Sequence, residues 1–139
     1  MMLKEDYVVL ATFRKSLRRF LRFVEVGALE AGITPQQHQV LLAIKGQPDR
    51  DYASITELAD SLQLKHHAMV GLVDRCQAAG LVERSADFND RRCVRVMLTA
   101  KGDEILTLLT QRNVGELRKI GRLAADLQTL AQASDGFAD

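Results

Sequence analysis

The sequence is poor in the residues that build disulfide frameworks, zinc sites and membrane spans. It has two cysteines, Cys76 and Cys93, and no CxxC pair, so neither a disulfide scaffold nor a zinc site is predicted. No apolar run approaches the roughly 18 residues of a transmembrane helix. The amino-terminal segment lacks the pattern of a signal peptide. We therefore expect a reduced, cytoplasmic protein with no membrane partner, no cofactor and no metal.

The sequence also lacks the signatures of a catalytic site. There is no Gly-rich phosphate loop, no pairing of a nucleophile with a base and no group of acids at metal-ligand spacing. The three histidines, His38, His66 and His67, do not form the pattern of a zinc sensor. The chain is therefore predicted not to be an enzyme.

The composition, with 47% hydrophobic and 27% charged residues in a chain of 139, is typical of one globular domain. The net charge of +1 conceals an uneven distribution. Residues 63–98 carry six basic and four acidic side chains, whereas residues 32–62 carry two and four. An excess of this size fits either a nucleic-acid surface or ordinary surface charge, and its position matters more than its sum.

Residues 54–80 have the pattern of two short helices joined by a tight turn. Ser54 and Glu57 form a capping box, in which each side chain satisfies a backbone N–H of the helix start. A second helix opens at Lys65, and its apolar residues from Met69 recur at the spacing of a helix buried on one side. Gly80 is the predicted helix stop, because glycine readily adopts a positive φ.

Two short strands follow, and the loop between them is charged. The strands are predicted at residues 81–84 and 93–98, with Val94, Val96 and Leu98 alternating onto one face. Residues 87–92 form the turn, and Tyr52 and Ala53 supply a brief third strand. This order of elements predicts a winged helix-turn-helix, so the fold class is mainly α with a small β-wing.

Long amphipathic helices flank this motif. Residues 3–26 form the first, which is bracketed at its end by Gly27 and Gly32 and has an apolar stripe on one side. Its other side carries five cations: Arg14, Lys15, Arg18, Arg19 and Arg22. A basic face of this kind could touch DNA phosphates or a membrane, or it could be the solvated side of a dimerisation helix.

Two further helix starts are predicted, at Thr34-Pro35 and behind Thr99. The first helix is expected to place Val40, Leu41, Leu42 and Ile44 in the core, and the second keeps Ile105, Leu108 and Leu109 on an apolar stripe that reaches Leu130. The winged part is too small to cover both the apolar stripe of the first helix and that of the last helix. We therefore expect a homodimer with interlocking terminal helices, the alternative being a monomer whose end helices pack together.

One stretch of the sequence resembles the signature of the MarR family of transcriptional regulators: residues 72–102, LVDRCQAAGLVERSADFNDRRCVRVMLTAKG. In that family a helix end of pattern LVDRLxxxGLVxR precedes a DxxDRR wing and a VxLTxxG return strand. The resemblance extends along nearly the whole chain. It implies a single domain over 1–139, with a winged helix part at about 34–98 and dimerisation helices at about 3–31 and 99–133.

The resemblance also implies a function. The chain would be a sequence-specific, double-stranded DNA-binding regulator, by default a repressor, acting as a homodimer on a pseudo-palindromic operator. A small-molecule effector would release it. The alternative from another class is a winged helix that binds protein, for which a charged wing would be incidental.

Candidate DNA contacts follow from the geometry of a helix-turn-helix, in which the first residues of the second helix reach base edges. The candidates are Lys65, His66, His67, Ala68, Gly71 and Arg75 from the second helix, with Ser54 and Thr56 from the first. Gly71 fits close approach to the DNA backbone or a tight intramolecular contact. Arg75 fits a phosphate contact or a salt bridge near Asp74 or in the wing. Ser54 and Thr56 suit a phosphate at a helix N-terminus or simple capping.

In the wing, Arg92 matches the family's minor-groove arginine, and Asp90 matches the acid that positions it. A guanidinium is attracted to the enhanced negative potential of a narrow A·T-rich groove. Arg91 is expected at a phosphate. The alternative is a solvated hairpin tip with an internal ion pair, although a wing that binds protein has no need of an arginine poised by an acid.

Relatives in the family respond to small, often phenolic, ligands between the dimerisation helices and the winged part, or to oxidation or metals. The candidate pocket for a small aromatic or phenolic effector consists of Phe13, Leu17, His38 and Leu41. His38 could instead be an ordinary, partly buried helix histidine. Cys76 is interpreted as an inert core thiol. Cys93 lies near Arg92 and Arg95, but oxidation-sensing relatives carry their cysteine in the first helix.

Overall fold

The computed structural model describes residues 1–87, 89 and 92–136, and these contain five helices and three strands. In chain order they are α1 (Lys4–Glu30), α2 (Pro35–Lys45), β1 (Tyr52–Ser54), α3 (Ile55–Leu62), α4 (His66–Ala78), β2 (Val82–Ala86), β3 (Val94–Leu98) and α5 (Ala100–Gly136). The chain divides into two compact units. We call Ala28–Leu109 the winged unit, and Met1–Gly27 with Thr110–Asp139 the terminal unit.

Local capping accounts for most of the helix boundaries. Thr34 caps α2 and Ser54 caps α3, each through a reciprocal capping box with the residue three positions later. Gly80 has φ +75°, which confirms the predicted stop after α4. The predicted end of α1 is wrong at Gly27, because the helix passes through this residue and ends before Gly32, where φ is +85°.

The sheet is antiparallel with strand order β1-β3-β2. Ala53 and Arg84 flank Val96 from the two sides, and Val96 is fully buried. The strand predicted at 81–84 begins one residue later, because the Leu81 N–H donates to the carbonyl of Cys76 and closes the end of α4. Val94 and Val96 alternate along β3 as predicted, but Val94 lies at the wing end of the strand and is exposed, whereas Val96 is buried.

One apolar core holds the winged unit together. Its fully buried large side chains are Leu41, Ile44, Leu58, Met69, Leu72, Leu81, Val40, Val73, Val82, Val96 and Cys76. One expected core residue is wrong: Leu42 is 49% exposed, because it lies on the side of α2 opposite the core. On the apolar stripe of α5, Leu109 is buried together with Leu106, whereas Leu108 is 62% exposed in the single chain.

The terminal unit contains the first part of α1 and the later part of α5. The Arg112 guanidinium donates to the carbonyl of Phe23 at 3.0 Å and stacks 4.0 Å over the centre of its ring. Large apolar side chains of this unit are exposed in the single chain, among them Leu3, Tyr7, Leu10, Phe13, Leu17, Leu21 and Leu117.

Candidate nucleic-acid interface

The first turn of α4 projects away from the core. Lys65 is the N-cap and makes no side-chain capping bond, and Lys65, His66, His67 and Ala68 are all exposed. The other side of α4 anchors the helix through four buried residues, Met69, Leu72, Val73 and Cys76. The structure therefore brings these four predicted contacts together on one exposed helix start.

Gly71 and Arg75 lie one and two turns further along α4. A Cβ built on Gly71 would meet only the Arg75 Nη1 atom, at 3.5 Å, which is an ordinary contact distance. The tight intramolecular packing that was one interpretation of Gly71 is therefore absent from the part of the chain that the structure describes. Arg75 is exposed, and its guanidinium extends back along the helix toward Gly71.

Arg84 links β2 to α4, and sequence reasoning missed this role. Its guanidinium donates to the Asp74 carboxylate at 2.6 Å and also to the Gln77 side chain. Asp74 is thereby neutralised by Arg84, and no ion pair of Arg75 is found among the described residues. The Arg75 charge is consequently available to an external anion, as a phosphate contact requires.

The start of α3 is organised by hydrogen bonds within the chain. The Ser54 hydroxyl accepts the Glu57 N–H at 3.1 Å, and the Glu57 carboxylate accepts the Ser54 N–H at 3.0 Å and a bidentate pair from Arg50. The Ser54 N–H, followed by Arg50, holds the pKa of the Glu57 carboxyl below its usual value. Ser54 thus serves as a cap, while Thr56 is exposed on the first turn.

Arg92 is exposed in the wing loop, whereas Asp90 and Arg91 lie outside the described residues. The base of the wing is held by residues not predicted as functional. Arg95 pairs with Asp87 at 3.3 Å and stacks 4.0 Å over the Tyr52 ring, and Asp87 accepts the Asn89 N–H at 2.9 Å. The alternation of side chains along β3 places Arg95 on the outer face of the sheet, and this pattern was the signal in the sequence that could have identified Arg95 as part of the wing base.

The effector candidates divide between the two units. In the winged unit Leu41 is fully buried and His38 is 3% exposed, with no described hydrogen-bond partner for its Nδ1 atom. Burial lowers the pKa of His38 below its ordinary value of 6.5. In the terminal unit Phe13 and Leu17 are partly exposed, and Leu17 lines a groove of about 400 Å³ with Leu21, Glu25 and the cations Arg14, Arg18 and Arg22.

The two thiols differ in environment. Cys76 is fully buried, and burial raises its pKa to about 11, which confirms the interpretation of an inert core thiol. Cys93 is exposed. Within the described ranges no three His, Cys, Asp or Glu side chains gather as a metal site, and no helix has the length and apolarity to cross a bilayer.

Comparison with known proteins finds similarity to one family. The MarR family model matches residues 31–92, from the approach to α2 through the wing. The transcriptional repressor MdtR of Bacillus subtilis is 26% identical over 99 residues, which cover 68% of this chain and 62% of the repressor's length. The chain thus spans under two thirds of that curated relative.

Solved structures agree over a longer range. The MarR family transcription regulator SP03579 is 27% identical, with a TM-score of 0.72, and the match covers 96% of this chain and 90% of that one. A mutant MarR from E. coli, solved in complex with operator DNA, has the same fold at 23% identity and a TM-score of 0.68, covering 96% and 99%. Together with the exposed start of α4 behind a two-helix motif and the three-stranded wing, these matches assign the fold. Residues 31–92 are similar to the MarR family of transcriptional regulators, and the chain shares the fold of solved members of that family.

Proposed function

We propose that this chain is a sequence-specific, double-stranded DNA-binding transcriptional regulator. The observation that carries the proposal is the exposed first turn of α4, where Lys65, His66, His67 and Ala68 point away from an anchored helix. Lysine and histidine donate to guanine N7 and O6 or to phosphates, and Ala68 suits the methyl group of thymine. The E. coli MarR that shares this fold was solved with operator DNA.

Phosphate contacts come from cations around this turn. Arg75 is exposed and without an ion pair among the described residues, because Arg84 neutralises the adjacent Asp74. Arg92 is exposed in the wing, where a guanidinium fits a narrow minor groove. We propose Asp90 as its positioning acid and Arg91 as a phosphate contact. Thr56, at the exposed start of α3, adds a hydroxyl near the helix N-terminus, where anions bind well.

The regulator acts as a homodimer in this proposal. The terminal unit leaves Leu10, Phe13, Leu17 and Leu117 exposed in the single chain, each between 38% and 61% of its surface. A second copy covers such a stripe most economically, because a two-fold interface uses the same patch twice. Two recognition helices related by a two-fold axis then read a pseudo-palindromic operator in successive major grooves. By default the bound dimer represses, in the cytoplasm.

A small aromatic or phenolic effector releases the dimer in the same proposal. The support is chemical: the groove beside Leu17 combines apolar side chains with three guanidinium groups, and guanidinium pairs well with carboxylate or phenolate oxygens. His38 offers a buried Nδ1 with no described partner. An effector acts only if it binds one arrangement of the recognition helices better than the other.

The first experiment measures fluorescence anisotropy of the duplex immediately upstream of the gene that encodes this chain. We expect tight binding that survives random competitor DNA, with a steep dependence on salt. The double variant Lys65→Ala/His66→Ala should lose most of the specific affinity. Lys119→Ala, a matched loss of an exposed cation on α5, should retain it.

A second arm covers an operator located elsewhere. Random-sequence duplexes are selected for binding, and a palindromic consensus is expected to emerge. If no sequence is enriched, and the upstream duplex is displaced by competitor, the protein does not read DNA sequence and the proposal fails. A protein-binding role for the winged helix would then become the leading explanation.

A further inference from the structure

Part of the wing extends beyond the three-stranded sheet. β1 pairs with β3 as far as Arg95, whereas β2 and β3 continue together to the pair of Ala86 and Val94. Arg95 is therefore the last residue of β3 with a paired strand on both sides. A two-stranded ribbon is only marginally stable by itself, and its twist is larger than that of a wider sheet. The direction in which the wing leaves the sheet consequently depends on the contacts made at Arg95.

Three side chains meet at this point on the outer face of the sheet. The Cζ atom of Arg95 lies 4.0 Å from the centre of the Tyr52 ring, within cation–π range, and its Nη2 atom donates to the Asp87 carboxylate at 3.3 Å. Asp87 directly follows β2, and its N–H donates to the carbonyl of Cys93 at 3.2 Å, at the base of the wing loop. We call Tyr52, Asp87 and Arg95 the wing clamp. The wing clamp joins the base of the loop to β1.

The Tyr52 ring has a second cation near it, which comes from the other direction along the chain. The Cζ atom of Arg50 lies 5.3 Å from the centre of the ring. The Arg50 guanidinium is itself fixed by two hydrogen bonds to the Glu57 carboxylate, at 3.0 and 2.6 Å. Glu57 belongs to the capping box of α3. The ring is thereby linked both to the start of α3 and to the wing.

The surroundings of Arg95 favour a fixed orientation of its side chain. The pair of Arg95 and Asp87 is sheltered from solvent, since 23% and 20% of their side-chain surfaces are exposed. Shelter strengthens the ion pair and the cation–π contact, because water screens them less. The Arg95 Nε atom is buried and has no hydrogen-bond partner among the described residues, which costs stability. An arginine at this position therefore suits a positioning role better than it suits stability alone.

We propose that the wing clamp sets the direction of the wing, with Tyr52 and Arg95 as positioning residues for Arg92. The inference rests on the proposed DNA-binding function, in which Arg92 enters a narrow minor groove. Arg92 lies three residues before Arg95, and the whole clamp lies in the winged unit. A guanidinium that is held in place before binding loses less freedom when it enters the groove. The clamp thus raises the preference for A·T-rich flanks without contacting DNA.

The first test needs no DNA. The Asp87 amide should exchange with solvent about tenfold faster in Tyr52→Leu than in the wild type, because the variant lacks the ring that holds the base of the loop. Tyr52→Phe keeps the ring and should exchange like the wild type. The amide of Met69, a buried residue of α4, is the internal reference and should not change. Equal exchange of the Asp87 amide in Tyr52→Leu and wild type would overturn the clamp.

The second test measures affinity by fluorescence anisotropy for the selected duplex with A·T-rich or G·C-rich flanks. Tyr52→Leu should lower the preference for A·T-rich flanks about threefold, because Arg92 is present but no longer held. Tyr52→Phe should keep the full preference. Arg95→Gln removes the cation from the other side of the contact, should lose the preference equally, and carries both tests if Tyr52→Leu does not fold.

The outcomes separate this inference from the proposed function. If the wild type binds no duplex specifically, the proposed function fails, and amide exchange still decides whether the clamp holds the wing. If Tyr52→Leu exchanges faster at Asp87 but keeps the wild-type flank preference, the positioning of Arg92 is refuted while the DNA-binding role stands. If Tyr52→Phe loses as much preference as Tyr52→Leu, the ring is not the positioning group, and the inference is equally refuted.

Discussion

Gly71→Ala is the substitution that best separates stability from DNA recognition. Glycine inside a helix costs about 1 kcal/mol relative to alanine, and the added Cβ would meet only Arg75 Nη1 at 3.5 Å. The fold therefore has no steric reason to keep glycine. We expect the unfolding temperature of the variant to be about 3 °C higher, because no steric clash offsets the higher helix propensity of alanine. If the DNA backbone approaches α4 at this position, the methyl group should at the same time weaken specific binding about tenfold, or 1.4 kcal/mol.

The assay pairs thermal denaturation at fixed protomer concentration with anisotropy on the selected duplex, because dimer stability depends on concentration. Gly115→Ala in α5 is the matched control: its Cβ would have no atom of the described residues within 4 Å, so stability should rise without a change in DNA affinity. A destabilised Gly71→Ala would refute the structural argument. Greater stability with unchanged affinity would refute the close approach of DNA.

Three further predictions use single side chains. Arg92→Ala should weaken binding about tenfold on duplexes with A·T-rich flanks and much less on duplexes with G·C-rich flanks. An equal loss of affinity on both duplexes in anisotropy titrations would refute minor-groove insertion. Arg92→Lys keeps the positive charge and is the control for charge alone. Arg75→Gln should reduce the slope of log affinity against log salt by about 0.9 per protomer, and a loss of affinity at constant slope would argue against a phosphate contact. Burial lowers the pKa of His38 in the folded protein, so the His38 imidazole of the unfolded chain binds a proton at a higher pH, and the free energy of unfolding should fall as the pH drops below about 6.5. Thermal unfolding measured between about pH 8 and pH 5 should show a smaller loss of stability in His38→Leu than in the wild type. The same pH profile in both proteins would refute the lowered pKa of His38.

Much of the secondary structure could be predicted from the sequence because its causes are local. The capping boxes at Thr34 and Ser54 join residues three apart, and the positive φ of Gly80 is a property of glycine itself. The exposed first turn of α4 followed from the apolar spacing behind it. The α3 cap at Gln63, with φ +56°, had no such signal, because a left-handed glutamine is uncommon.

The position of the candidate interface could be predicted from the sequence, but the ion pairs and ring contacts that hold its residues in place could not. The recognition turn and the wing follow from helix and strand patterns, whereas the partners of Asp74 and Arg95 depend on how the sheet packs beside α4. Arg84 and Asp74 are ten residues apart, and Lys65 lies at a comparable separation on the other side of Asp74. The long-range packing that selects between these partners is not encoded in spacing alone.

The sequence by itself determined the order of the helices and strands of the winged unit, most of their bounds to within one or two residues, and the family signature they carry, because capping, turn chemistry and apolar periodicity act within a few residues. Only the tertiary structure decided which side of α2 is buried, that a Cβ on Gly71 would make only an ordinary contact with Arg75 among the described residues, and that Arg84 leaves Arg75 without a described ion pair. It also revealed that Thr99 holds the carbonyl of Gly80, 19 residues earlier in the chain. The physical reason is the same in each case: burial and hydrogen bonding between distant segments depend on how the elements pack, and that arrangement exists only once the core has formed.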